Sequence, residues 1–495
     1  MRELQLVGID KRFPPGVRAC ADVTLTIRAG EVLAVLGENG AGKTTLMRIA
    51  AGVTRPDRGS VVKDGSRLAL GSPRDAISHG IGMVHQHFML IPRLSVAENV
   101  VLGFEGGSRL LDRSTLRRSV ESFSEQVGLR VDAGRLVEEL AVGEQQRVEI
   151  LRALYRGAEV LILDEPTAVL TPTETDGLFR VVREMASAGK AIVFISHKLH
   201  EISQVADRVV ILRNGELVAE RPPTTPLGEL AALMVGRPVE VPTRSGTAAS
   251  ESVALELAGA CSHGAPGLDS VSMVVGRGEI VGVAGVDGNG QVALEEVLAG
   301  IRQLSGGTLS LVGEAPERTS PTTMRRLGLV RIPSERHRDG IVAPASVWEN
   351  LVMFDLHRLG FARGGALRVR AARRRAEQLV EEYGIRCGSI DQSVGELSGG
   401  NQQKVVIARE LAADPSVVVA AQPTRGLDVG ATAGVHRALL EHRERGRAVV
   451  LISADLDEIC QLSDRVYVMY EGRVSGTAAP SERERIGRLM AGVAA

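Results

Sequence analysis

The chain has 495 residues, a formal net charge of −1 and 44% hydrophobic residues, but only 3% aromatic residues. A chain of this length usually holds two or more domains, and its balanced charge excludes the broad basic field of a nucleic-acid-binding protein. Its four cysteines are scattered without a C-x-x-C pair, which argues against a disulfide framework or a zinc site. No apolar run approaches the length of a membrane-spanning helix.

The first strongly predicted elements are a strand, a glycine-rich loop and a helix, in that order. Glu31–Leu36 has the apolar pattern of a buried strand, and Thr44–Ala51 has the pattern of a helix. The loop between them fits the G-x-x-x-x-G-K-[ST] phosphate-binding pattern. We assign nucleotide binding to Gly37, Glu38, Asn39, Gly40, Ala41, Gly42, Lys43, Thr44 and Thr45.

Each part of this loop has a predicted task. The backbone N–H groups of residues 38–44 and the N-terminus of the helix are expected to hold phosphate oxygens. Lys43 would reach the β- and γ-phosphates, and Thr44 would bind Mg²⁺. The loop therefore predicts a nucleotide site that works with magnesium.

Two carboxylates follow the buried strand Val160–Leu163. Asp164 is expected to hold Mg²⁺ through water, and Glu165 to polarise the attacking water as a general base. Phosphoryl transfer depends on positioning and charge rather than on covalent chemistry from the protein. The two carboxylates together with the phosphate loop therefore predict hydrolysis of the bound nucleotide.

Two further side chains are candidates for sensing the γ-phosphate and the metal. His197 closely follows the buried strand Ala191–Ile195, and we hypothesise that it senses the γ-phosphate. We hypothesise that Gln86 contacts Mg²⁺ and water. The alternatives are a structural histidine at a strand end and a surface glutamine.

The second half of the chain repeats the first in the same order. The recurring segments are Ile27–Gly37 with Val275–Gly285, Ser95–Asn99 with Ser346–Asn350, Leu140–Gln146 with Leu397–Gln403, and Pro166–Leu170 with Pro423–Leu427. Between the halves, Pro242–Ser252 is small, polar and patternless, which is typical of a linker. We therefore predict a first domain at 1–240, a linker at 241–252 and a second domain at 253–495.

Each half alternates short apolar strands with helices. This pattern predicts an α/β fold with a parallel sheet covered on both faces. The segments at roughly 95–158 and 346–414 are more helical, and they predict a helical subdomain in each half.

The second copy lacks the chemical groups of the first. Gln291 and Val292 stand where Lys43 and Thr44 stand in the first half, Ala421 and Gln422 replace the two carboxylates, and Ala454 replaces His197. No glutamine occupies the place of Gln86. The second loop keeps its glycines, so whether it holds nucleotide stays open.

Taken together, the motifs resemble ATP-binding-cassette domains over nearly the whole chain. The resemblance implies two tandem P-loop NTPase domains, ATP and Mg²⁺ as cofactors, and ATP hydrolysis coupled to transport. It assigns a glutamine loop to Gln86, the family signature to Leu140–Gln145, a switch role to His197 and adenine stacking, less specifically, to Phe13.

In this family two cassettes pair head to tail, and each ATP lies between the phosphate loop of one and the signature of the other. The second half keeps the signature and the D-loop aspartate, so the resemblance assigns nucleotide contacts to Ser398, Gly399, Gly400, Asn401, Gln402 and Asp428. The first half has Ala141 and Val142 in its signature and Thr171 in its D-loop. We therefore predict one competent site, at which Lys43-side residues meet the second signature, and one degenerate site.

Two cassettes on one chain without membrane spans resemble the simple-sugar and nucleoside importer ATPases, whose second cassette has a stretch like Gln422–Asp428. The stretches His85–Leu90 and His337–Gly340 resemble the nucleoside branch. The implied partners are two integral-membrane permease subunits, docked at residues 87–100 and 333–350, and an extracytoplasmic substrate-binding lipoprotein. The implied location is the cytoplasmic face of the membrane, with no nucleic-acid partner.

Three alternatives remain at this point. The first is import of a monosaccharide such as ribose or galactose. The second is a soluble tandem ATPase of the translation-factor type, although those proteins resemble two fully armed cassettes with a long charged linker. The third is a regulatory protein that binds ATP without hydrolysing it, which the intact set of first-half residues argues against.

Overall fold

The computed structural model describes the whole chain except residues 15, 86–87, 105–111, 168–169, 171, 197, 239–241, 243, 245–251, 355, 357–361, 364–365 and 493–495. The chain divides into two compact units, Met1–Val239 and Glu240–Ala495. Across the described residues, no helix combines the length and the apolar character that crossing a membrane requires.

The first unit contains ten strands and eight α-helices within its described residues. The strands are β1 (Glu3–Phe13), β2 (Val17–Arg28), β3 (Val32–Leu36), β4 (Arg58–Lys63), β5 (Ser66–Leu68), β6 (Ile81–Val84), β7 (Val160–Asp164), β8 (Ala191–Ile195), β9 (Arg208–Arg213) and β10 (Glu216–Arg221). The helices are α1 (Lys43–Ala50), α2 (Pro73–Ser78), α3 (Val96–Val101), α4 (Arg113–Gln126), α5 (Val142–Tyr155), α6 (Pro172–Ser187), α7 (Leu199–Val205) and α8 (Leu227–Val235).

The central sheet of the first unit has the order β10-β9-β3-β8-β7-β6. All neighbouring strands are parallel except β9 and β10. Strands β3, β7 and β8 are buried along their full length, as expected of parallel strands covered on both faces. Because the carboxyl ends of parallel strands share one edge, the loop after β3 and the carboxylates after β7 come together there.

A second, antiparallel sheet, β2-β1-β4-β5, packs over the parallel sheet. Buried side chains of β1 and β2 meet those of β3, β8 and α1 in one apolar cluster. This packing fixes α1, and therefore the loop that precedes it, against both sheets.

The second unit repeats this architecture. Its strands are β11 (Val253–Ser262), β12 (Leu268–Gly276), β13 (Ile280–Ala284), β14 (Gly306–Leu311), β15 (Leu329–Ile332), β16 (Ala362–Arg363), β17 (Ala366–Leu367), β18 (Val417–Ala421), β19 (Ala448–Ser453), β20 (Arg465–Tyr470) and β21 (Arg473–Ala478). Its helices are α9 (Gln291–Leu298), α10 (Pro321–Arg326), α11 (Val347–Val352), α12 (Val369–Glu382), α13 (Gly399–Leu411), α14 (Val429–Glu444), α15 (Leu456–Leu462) and α16 (Arg483–Met490). The sheet order β15-β18-β19-β13-β20-β21 is the order of the first unit.

The repeated Ser-Val-x-Glu-Asn segments have the same structural role in both units. Ser95 and Glu98 form a reciprocal capping box at the start of α3, and Ser346 and Glu349 do so at α11. The buried Asn99 bonds both the N–H and the carbonyl of Ile91. Asn350 does the same at Val342. These motifs therefore hold the loop that enters each helical subdomain.

Part of the predicted linker contacts the second unit. The carbonyl of Pro242 accepts a hydrogen bond from Gln461 at 2.9 Å. The guanidinium of Arg244 lies 3.8 Å from Asp464 and also donates to the carbonyl of Ser463. The prediction of a linker at 241–252 remains a prediction, but these two residues belong to the second unit by contact.

Candidate functional site: the phosphate loop and its altered counterpart

The phosphate loop of the first unit has the tight backbone that its glycines predict. Gly42 caps α1 in a left-handed conformation, with φ of 100°. A Cβ at this position would collide with the carbonyl oxygen of Ala19 on β2, so a larger residue would push the loop away from the sheet. The carbonyl of Ala41 accepts a hydrogen bond from Gly215 in the β9–β10 turn. The loop is therefore held from both sides.

Lys43 lies inside this loop. Its side chain is buried, and the ammonium donates to the carbonyl oxygens of Gly37, at 2.7 Å, and Glu38, at 3.0 Å. Burial lowers the pKa of Lys43, while the nearby carboxylates of Glu165 and Asp164 oppose that shift. The loop therefore holds a cation at its centre. The oxygens of an anion can replace the two carbonyl oxygens as partners of this cation.

Thr44 and Asp164 meet at the expected place. The Thr44 hydroxyl lies 3.4 Å from Oδ1 of Asp164. Burial and the adjacent Glu165 raise the pKa of Asp164, whereas the Thr44 contact lowers it. Mg²⁺ prefers oxygen ligands and usually takes one or two protein oxygens together with water and phosphate. A hydroxyl and a carboxylate side by side fit that requirement.

Glu165 has an unusual backbone. Its φ is 49°, and its N–H donates to the carbonyl of Ile195 at 3.0 Å. Non-glycine residues in this region are strained and persist where the surroundings hold them. The second unit keeps the same conformation at Gln422, with φ of 44° and a 2.7 Å bond from its N–H to Ile452. This left-handed backbone is therefore present in both units, but the carboxylate is present at this position only in the first.

In the second loop, the side chain of Gln291 bonds to the backbone of the loop itself. The amide of Gln291 donates to the carbonyl of Val286 at 2.9 Å and accepts from the N–H of Asn289 at 3.1 Å. Lysine can only donate, whereas glutamine also accepts. The N–H of Asn289 also bonds the carbonyl of Val286 at 3.2 Å, as the N–H of Ala41 bonds that of Glu38 at 3.0 Å in the first loop. Gln291 thus adds a side-chain contact within a loop of the same backbone form.

Other polar groups of the second loop are also paired internally. Asp287 lies 3.7 Å from Arg425, and Arg425 lies 3.6 Å from Glu335. The amide of Gln422 is 3.5 Å from Asp287. All three charged side chains are more than half exposed, so these pairs are weak, yet they fill the region with protein charges.

The two signature segments differ in chemistry and in local contacts. In the second unit, Ser398 precedes α13 and its hydroxyl accepts from Asn401 at 2.9 Å. In the first unit, Ala141 has no hydroxyl, and the Val142 side chain is 40% exposed where the second unit has Gly399. The hydroxyl donor expected of a signature is therefore present only in the second unit's segment.

Some predicted site residues have structural partners. Gln402 is buried and donates to the carbonyl of Leu397 at 3.0 Å. Asp428 caps α14 by accepting from the N–H of Ala431 at 2.7 Å. Phe13 ends β1 with its ring 40% exposed, and the Lys11 ammonium lies 5.5 Å from the ring centroid.

The predicted roles of Gln86, His197 and Thr171 fall on positions outside the described residues. The structure does show a residue that sequence reasoning missed beside one of them. Glu201, buried in α7, accepts from Ser196 at 2.9 Å and from Thr167 at 2.8 Å. It ties the segment after Glu165 to the end of β8. An acidic residue four positions after the candidate histidine was the available signal.

A family model described as ABC transporter matches residues 20–168 and 268–425. The chain belongs to the ABC transporter family. This membership confirms the predicted resemblance, the α/β fold with two ATP-binding cassettes and the ATPase class. The first and second units are its first and second cassettes.

Three relatives match over nearly their full length. The glucose import ATP-binding protein TsgD13 of Haloferax volcanii is 44% identical over 99% of this chain and 96% of its own. The nucleoside import ATP-binding protein NupA of Lactococcus lactis is 40% identical over 99% and 98%. The guanosine import ATP-binding protein NupO of Bacillus subtilis is 40% identical over 99% and 97%.

A solved structure gives the same fold. The archaeal ribosome recycling factor aABCE1, in complex with the ribosomal stalk protein aP1, matches with a TM-score of 0.66, covering 98% of this chain and 92% of its own. The identity is 20%, so this likeness shows the tandem-cassette fold alone.

Proposed function

We propose that this ABC protein hydrolyses ATP at one site, built on the phosphate loop of the first cassette, and thereby drives import of nucleosides. The observation that supports a single site is the partition of chemical groups. Lys43, Thr44, Asp164 and Glu165 converge at one sheet edge, whereas the second cassette has amide and alkyl side chains at the corresponding positions, Gln291, Val292, Ala421 and Gln422.

The complementary losses favour head-to-tail pairing of the two cassettes. The first cassette keeps the phosphate-side groups but lacks a signature hydroxyl, and the second cassette keeps Ser398, Gly399 and Gly400 but lacks the phosphate-side groups. In this pairing the intact parts meet at one nucleotide and the altered parts meet at the other. The site residues assigned from the sequence, including Gln86, His197, Phe13 and Asp428, are part of this proposal.

In the proposed reaction, the Lys43 ammonium exchanges its loop carbonyls for the β- and γ-phosphate oxygens. Thr44, and Asp164 through water, would hold Mg²⁺, which would neutralise phosphate charge. Glu165 accepts a proton from the attacking water as the oxygen of that water bonds to the γ-phosphorus. The bond from the γ-phosphorus to the β,γ-bridging oxygen breaks, and ADP leaves with the electron pair. Backbone N–H groups at the start of α1 hold the product phosphates.

The substrate proposal comes from the relatives. Two of the three named above are nucleoside or guanosine import proteins, in agreement with the resemblance of His85–Leu90 and His337–Gly340. The glucose import relative has the higher identity, at 44%. Import of a monosaccharide is therefore the second candidate.

The proposed partners are two permease subunits, which would place the chain at the cytoplasmic face of the membrane, and an extracytoplasmic binding protein. Apolar side chains are exposed within the segments predicted to dock: Met89 is 60% exposed, Ile91 43% and Val342 51%. Exposed apolar groups near one another are typical of protein interaction sites. In each cassette these exposed side chains follow the end strand of the central sheet, which is β6 in the first cassette and β15 in the second.

Uptake of labelled adenosine, glucose and ribose should be measured in a deletion strain complemented with the wild type or Glu165→Gln. We expect adenosine uptake only with the wild type. Glucose or ribose uptake alone, restored in the same way, would replace the nucleoside proposal with the sugar one. Normal uptake of all three in the deletion strain would contradict both.

A further inference from the structure

A pair of side chains on the first signature helix holds the backbone of an exposed residue. The N–H of Met89 donates to Oε1 of Glu149 at 2.6 Å. The carbonyl of Met89 accepts from Nη1 of Arg152 at 2.7 Å. Glu149 and Arg152 lie on α5 and contact each other at 2.5 Å. Both polar groups of one peptide residue are thus fixed to one helix.

Both charged side chains of this pair are largely shielded from solvent. The Glu149 side chain is 2% exposed and that of Arg152 is 15% exposed. Burial raises the pKa of Glu149, while Arg152 and the Met89 N–H lower it. Burying such a pair costs free energy that apolar packing would avoid, so packing alone does not account for these residue types.

The second cassette also buries a charged pair on its signature helix, but directs it elsewhere. Arg409, the counterpart of Arg152, pairs with Glu410 at 2.8 Å, and Glu410 pairs with Arg325 on α10 at 2.6 Å. Counted from the repeated Leu140 and Leu397, Val406 corresponds to Glu149; counted back from the repeated Ser95 and Ser346, Gly340 corresponds to Met89. A Cβ on Gly340 would lie 3.4 Å from Cγ2 of Val406, which is van der Waals contact. Val406 therefore borders this segment in the second cassette, whereas in the first cassette a charged pair bonds both backbone groups of the segment.

The position of the Glu149–Arg152 pair indicates a role for this difference between the cassettes. Helix α5 begins at the signature of the first cassette, and Met89 follows Gln86 by three residues. The Met89 side chain itself is 60% exposed. A cavity of about 50 Å³ borders Glu149 and Arg152, so the side chains have room to shift. The pair thus connects the signature helix to the exposed end of the glutamine-loop segment.

We propose that Glu149 and Arg152 are positioning residues that transmit movement of the first signature helix to the exposed surface at Met89, where a permease segment docks. This inference rests on the proposed function, because ATP binding at the Lys43 loop supplies the movement. A directional polar bond to both backbone groups transmits rotation of α5, whereas an apolar contact such as that at Val406 slides.

The test is hydrogen exchange at the Met89 amide in the purified full chain, with and without ATP, in a Glu165→Gln background that retains nucleotide. We expect ATP to change Met89 exchange in this parent. Glu149→Val, which copies the second cassette, should speed exchange about 10- to 100-fold through loss of a charged hydrogen-bond acceptor. It should also abolish the ATP response while ATP binding stays within about twofold of the parent, since Glu149 does not contact the loop.

The matched control is Glu410→Gln on the second signature helix. Glu410 is equally buried, but its partners are Arg325 at 2.6 Å and Arg409 at 2.8 Å. This variant should keep the Met89 response to ATP. Glu149→Gln, which keeps the side-chain size, serves if the valine variant does not fold, and the same loss of response is expected.

Two results would overturn the inference. One is an ATP response at Met89 that survives in the Glu149 variants, since faster exchange alone would indicate a merely structural contact. The other is a parent chain that binds ATP without any change at Met89. Failure of the proposed function is a separate result, seen as absence of ATP binding or turnover in the wild type.

Discussion

The two nucleotide edges share a backbone and differ in side chains. The residues that cap α1 and α9 have φ of 100° and 102°, and the residues after β7 and β18 share a left-handed conformation. Around these positions one cassette has lysine, threonine and two carboxylates, and the other has amides and alkyl groups. Because both loops keep this backbone although only one has the catalytic side chains, packing against the sheets, rather than catalysis, maintains the shape of the loop.

The largest expected effect comes from making the first edge like the second at its general base. Glu165→Gln should lower ATP turnover by about 10²- to 10⁴-fold, because the base is lost while the backbone stays. Turnover by the purified chain measures this. Gln422→Glu is the control and should add no turnover, since its loop lacks the lysine. Equal losses from Glu165→Gln and Gln422→Ala would contradict the single-site proposal.

The cassettes should also differ in their response to acid. His442 is 2% exposed, and burial lowers its pKa to about 4. In the unfolded chain this histidine takes up a proton near pH 6.5. The buried neutral histidine therefore makes its full contribution to the free energy of unfolding above that pH, and this contribution is lost as the pH falls toward 4. We expect a loss of about 2–3 kcal/mol between pH 7.5 and pH 4.5 from this residue.

The counterpart in the first cassette is a buried methionine, Met185. His442→Met should therefore remove this part of the pH dependence, as measured by chemical denaturation at both pH values. A variant whose stability falls with acid as steeply as that of the wild type would show that other groups dominate.

Lys43→Gln sharpens the comparison between the two loops. Loss of charge-assisted contacts should weaken ATP binding by about 10- to 100-fold, or roughly 1.5–3 kcal/mol. Titration with a fluorescent ATP analogue measures the change. The reverse substitution, Gln291→Lys, should restore little binding because Val292 and Ala421 still lack the metal-side oxygens. Unchanged affinity in Lys43→Gln would remove the loop from the proposed site.

The smallest effect tests where the cassettes should be equal. Ser95→Ala and Ser346→Ala each remove a capping box whose Ser–Glu bonds have nearly the same lengths. Each should cost about 1 kcal/mol of unfolding free energy. Thermal denaturation of the two variants measures it. A large difference between them would mean that the helical subdomains are not held alike.

The sequence predicted the main elements of the parallel sheets because buried parallel strands are continuous apolar runs. The strand after Glu31 and the helix at the phosphate loop match within one residue, with α1 beginning at Lys43 instead of Thr44. The family was predicted from the resemblance of the motifs and their order, and the tandem fold from the repeated segments. Repeated polar segments such as Ser95–Asn99 marked equivalent places without revealing their capping and loop-holding bonds.

The specific contacts of individual side chains could not be predicted from the sequence. Nothing in the order of residues shows that Gln291 bonds its own loop, that Glu201 joins two segments, or that Glu149 holds Met89. The contacts of Glu201 with Thr167 and of Glu149 with Met89 form only after the sheets and helices have packed, and the Gln291 contact depends on the backbone of its loop. Residue type was informative only in retrospect, as with a buried glutamate where the repeat has valine.

The substitutions in the second loop also have a consequence for the evolution of this protein. A single substitution at Glu165 silences all proposed hydrolysis, because no second base stands in reserve. Recovery in the other cassette would need lysine, threonine and two carboxylates to return together at Gln291, Val292, Ala421 and Gln422, and each alone gains nothing. The proposed division of labour between the halves can therefore be preserved by selection in the first cassette but would be hard to rebuild stepwise in the second.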